Sequence, residues 1–215
     1  MIICHRRKFL FIHIPKTGGT TVTEYFCNTE GVGQIRIFWG IRKGYDTAHI
    51  RCKDITQFVN VADTLYSYAW YTISRNPYDR IYSAYKYLQK GKLIADEMPF
   101  LQFLEQIDTD IRSWGVHALP MVHFCDAEDI ERYKIKVLRT ESLDAEFKAV
   151  LESLGLPTRI VKQNVANPEH DFSSSFRYRA RYDQTTLEIV NRLYDEDFRV
   201  FNYEKIATIS DIPLE

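Results

Sequence analysis

The first strongly apolar run lies near the start of the chain. Lys8–Ile14 is short, rich in aromatic residues and closed by Pro15, the pattern of a buried strand. Gly18-Gly19 then makes a tight turn, and Thr20–Cys27 reads as a helix. Tyr68–Ser74 is a second buried strand. Directly after it, Asn76 can cap a helix, with Pro77 at the first helical position and Asp79 in the first turn. Ile81, Ala84, Tyr85 and Leu88 share one face of that helix, and Gly91 ends it. Ile135–Leu138 reads as a third strand, followed by the amphipathic Leu143–Leu154 helix, with Gly155 and Pro157 beyond. The polar stretch Gln163–Ser175 reads as a loop and Thr185–Phe198 as a final helix. Strands alternating with helices predict a three-layer α/β fold, a central parallel sheet flanked by helices. One domain over residues 1–215 is expected.

The chain has 215 residues, enough to bury a core without disulfide staples. It is 45% hydrophobic and 27% charged, with a net charge of −1, so no basic excess suggests nucleic acid and any anion site must be built locally. The 14% aromatic content fits a tyrosine-rich core better than a sugar-stacking cleft on composition alone. Four widely spaced cysteines form no CxxC pair, which argues against a disulfide framework and suits a reducing compartment. Cys125 follows His117 and His123 in no zinc-like spacing; packing is expected there, and no metal. No signal segment or membrane-length apolar run is present, and the first strand starts close to Met1. A soluble, cytoplasmic protein is expected.

Candidate chemistry concentrates where the first strand meets its helix, at Pro15-Lys-Thr-Gly-Gly-Thr-Thr21. Backbone N–H groups at a helix start, with the helix dipole behind them, favour an anion. Glycines permit close approach, and Lys16 and the hydroxyls of Thr17, Thr20 and Thr21 add charge and donors. The bland alternative is a glycine turn beside a solvated lysine. The ATP-type loop G-x-x-x-x-G-K-[ST] carries its lysine after the last glycine; here Lys16 precedes Gly18 and Gly19. No acidic strand end stands out as a magnesium holder. A second anion contact is expected at Arg75, at the carboxyl end of a strand and the mouth of a capped helix. Ser83 lies off the apolar stripe of that helix. The alternative for Arg75 is a salt bridge to Asp79, and for Ser83 a small residue at a helix contact.

The loop resembles the 5′-phosphosulfate loop of sulfotransferases that use 3′-phosphoadenylyl sulfate (PAPS). Thr72-Ile-Ser-Arg-Asn-Pro-Tyr-Asp-Arg-Ile-Tyr-Ser-Ala-Tyr85 is similar to their 3′-phosphate motif, with an Arg at the strand end, Asn-Pro, and a Ser eight residues after the Arg. Val137–Leu143 and Leu193–Tyr203 resemble later segments, the last in the carbohydrate branch that includes the uronyl and heparan 2-O enzymes. The likeness covers most of the chain and is weakest over 30–44 and 93–134. It implies a P-loop-like fold and PAPS as co-substrate, leaving adenosine 3′,5′-bisphosphate (PAP). The acceptor it implies is a hydroxyl of a glycan or glycolipid. The cofactor-binding set is then Lys16, Thr17, Gly18, Gly19, Thr20, Thr21, Arg75 and Ser83.

Sulfuryl transfer needs a cation for the leaving phosphate, donors for the sulfuryl oxygens and a base for the acceptor hydroxyl. Lys16 suits the first task and the loop the second. Histidine is the default base near neutral pH, and the chain has six. His5 precedes the expected fold, His13 reads as a core residue, His170 lies in the polar loop, and His117 and His123 fall in an unpatterned segment. The 2-O branch has its proposed base before the 3′-phosphate strand. That resemblance implies His49 as base, with His117 in reserve. Phe176–Tyr182 alternates basic and aromatic residues, and is either a lid bearing Arg177 and Arg179 or a solvated basic face. A nucleotide kinase and a non-catalytic binding module remain the alternative functions.

Overall fold

The computed structural model describes residues 1–29, 35–42, 45–57, 65–158 and 179–211. A five-stranded sheet organises the fold, in the order β3-β1-β2-β6-β7. β1 (Ile2–Cys4), β2 (Phe9–Ile12), β3 (Ile35–Ile37), β6 (Ala69–Ser74) and β7 (Lys136–Arg139) are its strands. β2, β6 and β7 are mutually parallel, with Phe11 opposite Tyr71 and Ile73 opposite Leu138. β1 runs antiparallel to β2 and β3, so the sheet is mixed rather than wholly parallel. Tight return of the chain between Cys4 and Phe9 leaves no length for a crossover, and an antiparallel hairpin results. His5 therefore sits in this hairpin rather than ahead of the fold, its Nδ1 2.8 Å from the Tyr68 hydroxyl. β4 (Ile41–Arg42) and β5 (Tyr45–Asp46) form a separate small ribbon.

α1 (Gly19–Asn28) and α5 (Leu143–Ser153) cover one sheet face. Val22, Tyr25 and Phe26 of α1 meet Phe147, Val150 and Leu151 of α5 over Phe9, Phe11, Tyr71 and Ile73. The other face departs from the expected helical layer. Short 3₁₀ turns at Cys52–Gln57 and Met121–His123, with the ends of α4 (Ala127–Tyr133) and α7 (Asp195–Val200), pack there on Leu10, Ile12 and Trp70. The crossover from β6 to β7, joined by one helix from beyond β7, instead builds a helical cluster beside the sheet. It comprises α2 (Pro77–Lys90), α3 (Phe100–Thr109) and α6 (Gln184–Leu193), centred on Tyr78, Ile81, Phe103, Leu187 and Val190.

The expected final helix is two. It breaks at Tyr194, whose buried hydroxyl donates to the Ala118 carbonyl at 2.6 Å. α7 restarts with Asp195, Glu196 and Asp197 in its first turn, where negative charge favours a helix N-terminus. Cys125 is packing, as expected: it is buried beside Cys52, and all four thiols are free. No helix among the described residues is long and apolar enough to cross a membrane.

Candidate active site

The loop after β2 turns left-handed twice, at Lys16 (φ 66°) and Gly18 (φ 88°). Gly18 occupies that region without a Cβ penalty; Lys16 does not, and surrounding contacts must hold it there. Two guanidiniums supply them. Arg80 Nε donates to the Pro15 carbonyl at 3.0 Å, and Arg75 Nη1 to the Lys16 carbonyl at 3.3 Å. Thr140 closes the other side, its Oγ1 2.7 Å from the Thr17 carbonyl and 2.9 Å from that of Ser74. The Thr17 hydroxyl donates to the Ile14 carbonyl at 2.9 Å, so that hydroxyl is occupied within the loop. Thr20 is exposed and Thr21 half-buried. α1 starts at Gly19 with no side-chain cap, and of its first N–H groups that of Thr21 turns back to the Gly18 carbonyl at 3.1 Å.

Gly19 is required for a steric reason. A Cβ there would fall 2.2 Å from Cδ2 of the His13 ring, which is itself buried. Gly19→Ala is expected to cost about 1–3 kcal/mol through overpacking, read as a lower urea midpoint. An unchanged midpoint would mean that the ring moves aside freely.

Lys16 and Arg75 thus stand together at the carboxyl ends of adjacent parallel strands. The adjoining face of α2 carries Arg80, Ser83, Tyr87 and Lys90, at the i, i+3, i+7, i+10 spacing of one helical stripe. This stripe meets the loop, since Arg80 binds Pro15 and the Lys16 ammonium lies 4.2 Å from the Tyr87 ring centroid. Ser83 is therefore on the loop-facing side, half-buried. Asn76 caps α2 through its side chain, which accepts from the Tyr78 N–H at 3.0 Å. Burial, then Arg75, Arg80 and Lys90, push the Lys16 ammonium down to about 8. An anion bound among these cations would hold the Lys16 ammonium charged to higher pH.

The histidines assemble next to this cluster. His49 Nδ1 lies 2.8 Å from the His13 carbonyl and donates to it, which leaves Nε2 with its lone pair. Asp46 caps the 3₁₀ turn that carries His49, accepting from the Ala48 N–H at 3.0 Å. The His13 and His49 rings are 4.7 Å apart, and His49 and His117 5.5 Å. His117 in turn packs on Tyr87 at 4.4 Å. Burial lowers the His49 pKa, against the opposing effect of the His13 carbonyl; burial, His49 and Lys16 lower that of His117 to about 4. His13 is buried as expected, but against Gly19 and His49 at the strand end, as part of the site.

His123 stands apart, its ring edge-on to Phe124. Of the basic-aromatic stretch, Arg177 lies outside the described residues, as does His170. Arg179 opens a 3₁₀ turn and is half-buried, while Tyr182 faces inward, donating to the Tyr78 carbonyl at 2.7 Å. Arg80, Tyr87 and Lys90 escaped the sequence reading. Their common spacing opposite the Ile81–Leu88 stripe was the available signal.

The glycine loop, the clustered cations and the histidines thus meet at the carboxyl ends of parallel strands, where α/β sheets bind their ligands. A sequence model of the sulfotransferase family matches residues 1–204, and the chain belongs to that family. No curated protein and no solved structure matches it.

Proposed function

We propose that this sulfotransferase takes its sulfuryl group from PAPS and passes it to a hydroxyl of a carbohydrate or glycoconjugate. The observation that carries the reading is the hydrogen bond from Arg75 to the Lys16 carbonyl, which puts both anion-binding elements at one mouth. In a P-loop-like arrangement within one domain, the α1 N-terminus, Gly18, Gly19, Thr20 and Thr21 hold the 5′ phosphosulfate, while the Thr17 hydroxyl braces the loop. Arg75 and Ser83 hold the 3′ phosphate. Lys16 neutralises the leaving phosphate, and His49 Nε2 takes the proton from the acceptor hydroxyl. PAPS supplies the activated sulfuryl group and departs as PAP. A carbohydrate acceptor accords with Trp39, 59% exposed, in a segment tied to the His49 turn by the Thr47 N–H on the Gly40 carbonyl at 2.9 Å. An exposed aromatic face suits the apolar side of a sugar ring. Free thiols accord with a soluble, cytoplasmic setting.

Thermal shift with PAP and with ATP tests the donor. Stabilisation by PAP alone is expected, and stabilisation by ATP with no response to PAP would refute the reading. Transfer of labelled sulfate from PAPS across a panel of glycans, glycolipids and phenols then identifies the acceptor.

The pH profile follows from the same groups. Lys16 must be charged and His49 neutral. In kcat/KM, which reports the free enzyme, the alkaline limb is expected at about 8, where Lys16 loses its proton. The acid limb falls below the ordinary histidine value, because burial favours neutral His49. In kcat the alkaline limb moves upward, since bound phosphates stabilise the ammonium. An alkaline limb at the same pH in both parameters would separate Lys16 from the phosphates.

A further inference from the structure

His117 has no task in the scheme above, yet its surroundings are specific. Its ring lies between two others, Tyr87 at 4.4 Å and His49 at 5.5 Å. The Lys16 ammonium rests against the far partner, 4.2 Å from the Tyr87 centroid. The order Lys16, Tyr87, His117, His49 therefore runs from the cation assigned to the leaving phosphate to the base assigned to the attacking oxygen. An in-line displacement has the transferred group between those two oxygens. His117 stands at the middle of the order.

Its ring nitrogens point the same way. Nδ1 of His117 is buried and has no hydrogen-bond partner among the described residues. An unpaired N–H and an unpaired lone pair are both costly when buried, but orphaned buried N–H groups are the rarer of the two, which favours the lone pair on Nδ1. A buried lone pair on Nδ1 places the proton on Nε2, as a donor. His49 has the opposite arrangement, with Nδ1–H on the His13 carbonyl and a lone pair on Nε2. Two neighbouring neutral imidazoles, their centroids 5.5 Å apart, would then offer one acceptor and one donor. The acceptor receives the hydroxyl proton, and the donor suits an oxygen that carries negative charge throughout.

We propose that His117 is a further catalytic residue, whose Nε2–H donates a hydrogen bond to an oxygen of the sulfuryl group during transfer. The proposal rests on the sulfuryl-transfer reading of the site and adds a donor from outside the glycine loop. No proton leaves His117 in the step. The hydroxyl proton goes to His49 and the S–O bond pair to the 5′ phosphate of PAP, while His117 only stabilises the charge between them.

The test uses protein labelled with ¹⁵N at histidine, with inorganic sulfate plus PAP standing in for the reacting groups. In the free protein the ¹⁵N shifts should report the Nε2–H tautomer for His117 and the Nδ1–H tautomer for His49. Sulfate added to the PAP complex should then shift the Nε2 resonance of His117. His117→Ala should reduce turnover about 10²–10³-fold, the usual loss for one donor to a developing oxyanion, without altering PAP affinity. His117→Asn, which keeps an N–H donor, should recover part of that loss. Failure of PAP to bind would refute the sulfotransfer reading itself. PAP binding with an Nδ1–H tautomer at His117, or with no response of its Nε2 to sulfate, would overturn the present inference alone. Full turnover in His117→Ala would do the same.

Discussion

Replacing His49 by alanine is expected to lower sulfuryl transfer about 10²–10⁴-fold, the range for losing a general base, while PAP affinity stays essentially unchanged. His49 meets the loop through its neighbour: its Nδ1–H bonds the His13 carbonyl, and the His13 ring packs on Gly19. The groups proposed to hold the phosphates, namely Lys16, Arg75, Ser83 and the α1 N-terminus, owe nothing to the imidazole of residue 49. His49→Asn separates chemistry from architecture, because its amide can still donate to the His13 carbonyl but provides no base. Both variants should therefore lose turnover together. A fall in PAP affinity as large as the fall in turnover would assign His49 to structure. Retained turnover in both would move the base elsewhere.

The sequence disclosed the strand-loop-helix units because each is local. Phe9–Ile12, Gly18 and the Asn76-Pro77 cap announce themselves within a few residues, and their observed boundaries differ from the expected ones by one or two positions. Lys16, Arg75 and Ser83 could be singled out for the same reason, each being fixed by its place on such a unit. Whether Lys16 and Arg75 meet depends on β2 pairing with β6, about sixty residues on, which no local pattern encodes. The antiparallel β1 was missed for a related reason: a three-residue strand carries no periodicity. His117 was harder still. Its segment, Gly115–Pro120, belongs to no regular element and is held by distant side chains, among them Arg80 and Tyr194 through the carbonyls of Leu119 and Ala118. Contacts of that kind are tertiary from the outset.

Arg80 is also where the largest loss of stability is expected. Its side chain is 1% exposed and joins three parts of the site. Nε holds Pro15 at the root of the loop, Nη2 donates to the Leu119 carbonyl at 2.6 Å, and its charge faces buried Asp197. Asp197 accepts the Met121 and Val122 N–H groups at 2.8 and 2.9 Å, which fixes the turn after His117. Burial raises the Asp197 carboxyl to about 6, with Arg80 and those N–H groups opposing the rise. Removing one member of a buried charge pair costs about 3–5 kcal/mol because the other is left uncompensated. Arg80→Met should lose about that much near pH 8. The sign of its pH dependence follows from linkage. A carboxyl raised in the folded state binds its proton more tightly there than when unfolded, so stability falls as pH rises through the interval between the two pKa values. Without Arg80 the folded value moves above 6 and the interval widens. Urea unfolding of Arg80→Met should therefore show a smaller deficit at pH 5 than at pH 8, and Arg80→Met combined with Asp197→Asn should remove most of the difference. An equal deficit at both pH values would mean that Arg80 acts through packing and its carbonyl bonds, with no part played by the charge of Asp197.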